Sequence, residues 1–194
     1  MVSRFSIVSL LSALVLTGFT ARDSRAADAY AVDPVHSAIV FRARHMNTSH
    51  AWGRFNDLSG TFALDESDPS QSVLDFQVKA ASIDTGNAMR DKHLKSPDFF
   101  NAVQYPVISF KSKSVTKTAD GYEATGELTL HGVTKLLKVK VLPVGSGKGP
   151  TGAPIAGIDA SFVVKQSDFG MTKMVGPIGD DVWVNVSIEG TKKK

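Results

Sequence analysis

Five histidines, His36, His45, His50, His93 and His131, are the first side chains able to do chemistry. No two share the one-turn helical spacing that brings two imidazoles onto one metal, and no cysteine completes a site. His36 follows Asp33-Pro34 at the start of an alternating run, and His45 and His50 stand five apart. These positions suit structural hydrogen bonds or a grip on the polar end of a ligand. Arg90-Asp91-Lys92-His93 gathers both signs of charge on a short helical stretch. Asp84, Asp91 and Asp98 recur every seven residues, yet they fall on a strand end, a helix and a turn, so no carboxylate pair is placed for acid–base work. No Gly-x-Ser-x-Gly elbow is present. Gly145-Ser146-Gly147-Lys148-Gly149 lacks the first glycine and the terminal hydroxyl of a phosphate loop. Asp168-Phe169-Gly170 has no kinase companions. No catalytic residue and no metal site is assigned.

The elements that must position these residues are almost all strands. Apolar and polar residues alternate, the period of a half-buried strand, in eight stretches. They begin near Ser37, Leu58, Val73, Val107, Tyr122, Val133, Gly157 and Val182. Asp68-Pro69, Asp120-Gly121, His131-Gly132 and a loose 145–154 segment separate most of them. The exception is Arg90 to Ser96, rich in helix formers and stopped by Pro97. It delivers Phe99 and Phe100 and is placed to close one end of what the strands build. Regular strands with one apolar face make either a packed sandwich or a closed barrel. Alternation does not choose between them. Phe41, Phe62, Phe76, Phe110 and Phe162 fall on the inward faces with Ile39, Val78, Ile108 and Leu128, among small residues such as Gly126 and Ala160. Such a mixture fills a core or lines a tunnel. Trp183 sits on the polar face of the last strand and is a candidate dimer contact.

The first 26 residues read as a cleaved export signal. Arg4 precedes a mostly apolar run from Phe5 to Phe19, and Ser24-Arg25-Ala26 offers small residues for cleavage after 26 or 27. The run is too short for a comfortable membrane span, which takes about 20 apolar residues. Losing it removes Arg4, Arg22, Arg25 and Asp23 and lowers the formal net charge from +3 to +1. That balance does not support nucleic-acid binding. Lys192-Lys193-Lys194 reads as a solvated tail. An exported domain without cysteine, spanning 27–194, suits a bacterial periplasm.

Tyr30-x-Val32-Asp33-Pro34-x-His36-Ser37-x-Ile39-x-Phe41 resembles the opening of the YceI-like family of secreted bacterial proteins. Ile83-x-Thr85-Gly86-Asn87, Arg90-Asp91-x-His93-Leu94-Lys95-Ser96-x-Asp98-Phe99-Phe100 and Tyr105-Pro106-x-Ile108-x-Phe110 are similar to its central signature. Leu128 to Lys135 and Ser167-Asp168-Phe169-Gly170-Met171 follow in the family's order. The resemblance implies an all-β, eight-stranded antiparallel lipocalin-like barrel with a short helical lid. It also implies a periplasmic, often dimeric protein whose tunnel holds a polyisoprenoid or similar lipid. Gln166 departs from the pattern, since many members carry arginine there.

The expected function is binding or carriage of a long-chain isoprenoid, quinone- or polyprenyl-type, without catalysis or a cofactor. Its lining would comprise the nine inward residues named above, Phe99 and Phe100, and Phe169 and Met171. His36, Arg90, Asp91 and His93 are the head-group or lid candidates, and transient membrane contact fits delivery of such a ligand. Two other expectations compete: an enzyme acting on an amphiphile in the same tunnel, with His36, Asp91 or His93 as acid–base groups, and a solid sandwich serving as an interaction module.

Overall fold

Eleven hydrogen-bonded segments close into one antiparallel ring. The computed structural model describes residues 27–193, so the expected signal peptide, 1–26, and Lys194 lie outside the described residues. The segments are β1 (Tyr30–Val32), β2 (Ala38–His45), β3 (Ser49–Phe55), β4 (Leu58–Ala63), β5 (Val73–Lys79) and β6 (Ile83–Asp84). After the helix α1 (Ala88–Leu94) come β7 (Val107–Lys117), β8 (Tyr122–Leu130), β9 (Val133–Lys148), β10 (Pro154–Lys165) and β11 (Ile178–Lys192).

Their pairing reduces them to eight staves. β1 and β2 lie end to end along β11, with Val32 opposite Gly190 and Ala38 opposite Ser187. β4 and β3 continue each other on the next stave, with Phe62 opposite Tyr30 and Phe55 opposite Ile39. β6 extends β5 by pairing with β3. From β5 through β7, β8, β9 and β10 each strand pairs with the next, and β11 returns to β1 and β2. The result is a closed eight-stranded barrel, and closure removes the long free edges of an open sheet. The β8–β9 connection is a two-residue turn, His131-Gly132, with φ of 52° and 73°. A hairpin of this length favours positive φ at both positions, where glycine is at ease.

Three local expectations change. β3 carries only small inward residues, Ala51 and Gly53, before Phe55, while Trp52 points outward, so its alternation is disguised. The 145–154 segment is strand as far as Lys148, which pairs with Pro154. Lys192 is the last residue of β11 and bonds Asp28 at 2.7 Å, so it belongs to the wall and not to a tail.

The end where β1 begins and β11 finishes is closely packed. Tyr30 stacks on Phe62 with ring centroids 5.4 Å apart. Gly190 permits this, because a Cβ there would come within 2.8 Å of the Phe62 ring. Val115, Tyr122 and Ala124 complete this floor, with Leu74, Val141 and Ile188 next to it. Toward the opposite end, the mouth, the inward rings of Phe41, Phe76, Phe110 and Phe162 are only half-buried, although they face the barrel axis. They border empty space.

Candidate functional site

That space is a cavity of about 210 Å³ running up the barrel axis. An engineered apolar cavity of roughly 150 Å³ stays dry and takes up benzene, so the interior is hollow in a chemically useful sense. The solid-sandwich expectation fails here. Leu74, Val141 and Ile188 form the base, the four half-buried phenylalanines line the middle, and Leu94, Phe99 and Met171 lie near the mouth. Among the described residues no ionisable side chain lines the cavity, and the polar liners are Gln77, Ser109 and Gln166.

Most of the expected lining is in place. Ile39, Phe41, Phe76, Val78, Phe99 and Phe100 border the cavity, as do Ile108, Phe110, Leu128, Phe162 and Met171. Two residues are corrected. Phe62 is consumed by the floor, stacked on Tyr30 and 2 % exposed. Phe169 packs beside the cavity with Leu130 and Val164, and its carbonyl accepts from the His131 ring nitrogen Nδ1 at 2.8 Å. Sequence reasoning missed Phe55, because β3 was not recognised. It also passed over Val139, Val141, Val184 and Val186, which an inward-facing stripe predicts as surely as the phenylalanines. Gln166 was missed as a liner, although it continues the inward series of Ile158, Ala160, Phe162 and Val164 by the same step of two.

The charged residues around the mouth hold the lid and do not enter the cavity. α1 is capped by Asn87, whose Oδ1 accepts from the Arg90 backbone N–H at 3.0 Å. Asp91 turns back to accept from the Thr85 backbone N–H at 2.9 Å, and Arg90 donates to the Thr85 hydroxyl and carbonyl at 2.7 and 2.8 Å. His93 lies 3.0 Å from Asp98, and Asp98 accepts from Lys173 at 2.6 Å. The Lys173 ammonium first, and His93 second, hold the Asp98 carboxyl below its ordinary value of 3.8. The His93 ring stands edge-on to Phe99 at 5.1 Å, pressing that phenylalanine inward. Arg90, Asp91 and His93 therefore fasten the lid from outside, the lid alternative of their head-group-or-lid assignment, and none of them lines the cavity.

His36 fits neither alternative. It sits on the outer wall between β1 and β2, with its side chain 62 % exposed. Its Nδ1 lies 2.8 Å from Asp33 and 3.7 Å from Glu189. The hydrogen bond to the Asp33 carboxylate raises the His36 pKa, and His36 in turn lowers that of Asp33. Asp33, His36 and Glu189 are the metal-ligand types that the fold brings together among the described residues. Their ring nitrogen and carboxylate already satisfy each other. Trp183, expected as an exposed contact, is half-buried under the Arg42 guanidinium at 5.1 Å, with His50 edge-on to it. The exposed neighbour is Trp52, at 53 %.

With this geometry in hand, the likeness to known proteins is specific. The sequence profile described as the YceI-like domain matches residues 30–190. The protein called Protein YceI from Escherichia coli O157:H7 is 38% identical over 178 residues, covering 91% of this chain and 93% of its own. Among solved structures, a Campylobacter jejuni YCEI protein is 31% identical with a TM-score of 0.69, covering 78% of this chain and 90% of its own. A polyisoprenoid-binding domain from Saccharophagus degradans has the same fold, with a TM-score of 0.65 at 15% identity, covering 86% of this chain and 99% of its own.

Proposed function

The chain belongs to the YceI-like family, and from that premise we propose that it is a periplasmic carrier holding a long-chain isoprenoid lipid, quinone- or polyprenyl-type, in the barrel cavity. The observation that carries this reading is the cavity itself: about 210 Å³, walled by aliphatic and aromatic side chains, with no ionisable group among the described liners. Burying a methylene is worth roughly 0.8 kcal/mol, so one five-carbon isoprene unit contributes up to about 4 kcal/mol. A few such units offset the ordering cost of binding without any specific polar contact. A wall without a titratable side chain supports storage and transfer over acid–base catalysis. The likeness to a domain described as polyisoprenoid-binding points the same way. Export by residues 1–26 would place the carrier beside the membranes that supply its ligand, and transient contact at the mouth would load it.

Organic extraction of the protein purified from a bacterial periplasm, followed by mass spectrometry, tests the proposal. The expected product is a co-purifying lipid whose chain is built in five-carbon steps. Recovery of no lipid across several preparations, with no uptake of added polyprenol by the stripped protein, would overturn it.

A further inference from the structure

Gln166 is a polar side chain built into an apolar wall. It is 4 % exposed, follows the last inward residue of β10, and borders the cavity near Met171 and Ile178. Its amide orientation is dictated by its neighbours. Nε2 donates to the backbone carbonyl of Gly179 at 3.0 Å, with the Ile178 carbonyl a longer 3.5 Å away. Both partners are acceptors, so the amide nitrogen must face β11 and the amide oxygen must face away. Among the described residues no group donates to that oxygen, and no buried side-chain oxygen or nitrogen is both sealed in and unpaired. Oε1 therefore opens onto space, and the space Gln166 borders is the cavity.

An acceptor left without a donor in an apolar setting is costly, and a ligand that supplies the donor recovers that cost. We infer that Gln166 Oε1 accepts a hydrogen bond from the polar end of the bound chain, and that the site selects a neutral lipid bearing a hydroxyl, an alcohol or phenol, against an anionic one. This rests on the carrier reading and names its ligand class. A carboxylate or phosphate placed at the same point would set its negative charge against the amide oxygen. It would find no cationic side chain among the described cavity liners, and burying an unpaired charge is strongly unfavourable. The position is at the lid end, so the hydroxyl would be the last part to enter while the hydrocarbon reaches the floor.

Lipid-stripped protein titrated with geranylgeraniol, with its methyl ether and with geranylgeranoic acid at neutral pH tests this by displacement of a fluorescent probe. The ether keeps the chain and loses the donor. The alcohol should bind about fivefold tighter than the ether, the factor one net hydrogen bond supplies, and the acid should bind more weakly than either. In Gln166→Met the alcohol and ether should bind equally. Gln166→Lys, whose ammonium can still donate to the β11 carbonyls, removes the acceptor by a route that keeps the strand contact, and should give the same levelling. Equal affinity of alcohol and ether in the unaltered protein overturns the assignment even if neither variant folds. So does a preference for the alcohol that survives in either variant. Failure of all three probes to bind would instead sink the carrier reading beneath it.

Discussion

The two ends of this barrel use the same alternation to opposite effect. At the floor, Phe62 stacks on Tyr30, its register partner on the adjoining strand, and Leu74, Val141 and Ile188 close beneath the cavity with 2 % exposure each. Toward the mouth, Phe41, Phe76, Phe110 and Phe162 face the same axis and do not fill it. The difference lies in what stands opposite. A glycine at 190 lets the floor rings come together, and the upper phenylalanines border a common space that their own volumes leave open. Alternation chooses the face of a strand, and the partners its inward side chains find choose between a core and a container.

Substitutions can break or sharpen that contrast. Phe62→Ala, in the solid half, should lower the unfolding free energy by about 3–5 kcal/mol in urea titrations. Phe162→Ala should cost less than Phe62→Ala for the same deletion, because it widens a space that already exists. Equal losses would mean that the two halves are packed alike. Gly190→Val forces a side chain against Phe62 and Tyr30 and should cost about 1–3 kcal/mol by the same measurement. Ala160→Phe builds into the hollow half. It should cost less than the roughly 1–3 kcal/mol of overpacking a filled core while abolishing co-purified lipid, and lipid retained at the wild-type amount would refute the hollow as the binding space.

The smallest effect belongs to the lid. Asp98→Asn should leave global stability nearly unchanged, as exposed ion pairs do, yet speed amide exchange across 88–106 and leave β8 and β9 unaffected. Acid should mimic it. The folded-state pKa of Asp98 is depressed, so its contribution is present above the ordinary 3.8 and is lost as pH falls through the lower folded value. Lid protection, taken relative to the intrinsic exchange rate at each pH, should therefore fall at the acid end only. An equal fall in Asp98→Asn would assign the effect to another group.

Much of this was legible in the residues. β8 reads as one clean alternation from Tyr122 to Leu130, and the inward stripes of β7, β10 and β11 follow from the same period. Pro97 and the charged stretch before it marked the lid. What escaped was decided between distant residues. β3 hid behind Ala51 and Gly53, whose inward side chains carry no hydrophobic signal. Phe62 looked like a tunnel liner because only the fold brings Tyr30 to its face. Arg90, Asp91 and His93 looked available for a ligand, and local hydrogen bonding to Thr85 and Asp98 had already engaged them. Gln166 stood in phase with the inward series, but its two ends acquire different meanings only when β11 arrives beside it.

The stave that seals the ring joins the beginning of the chain to its end, with Tyr30 opposite Lys192. Contacts between such remote residues are the slowest to form in folding, since the intervening chain must first be ordered. The circumference should thus close late, after the meander from β7 to β10 has supplied four of the eight staves. A guest too broad to thread past the helix can be enclosed at that stage, as the walls come together around it. Refolding in the presence of such a molecule would then trap it inside, whereas mixing it with finished protein would leave it out.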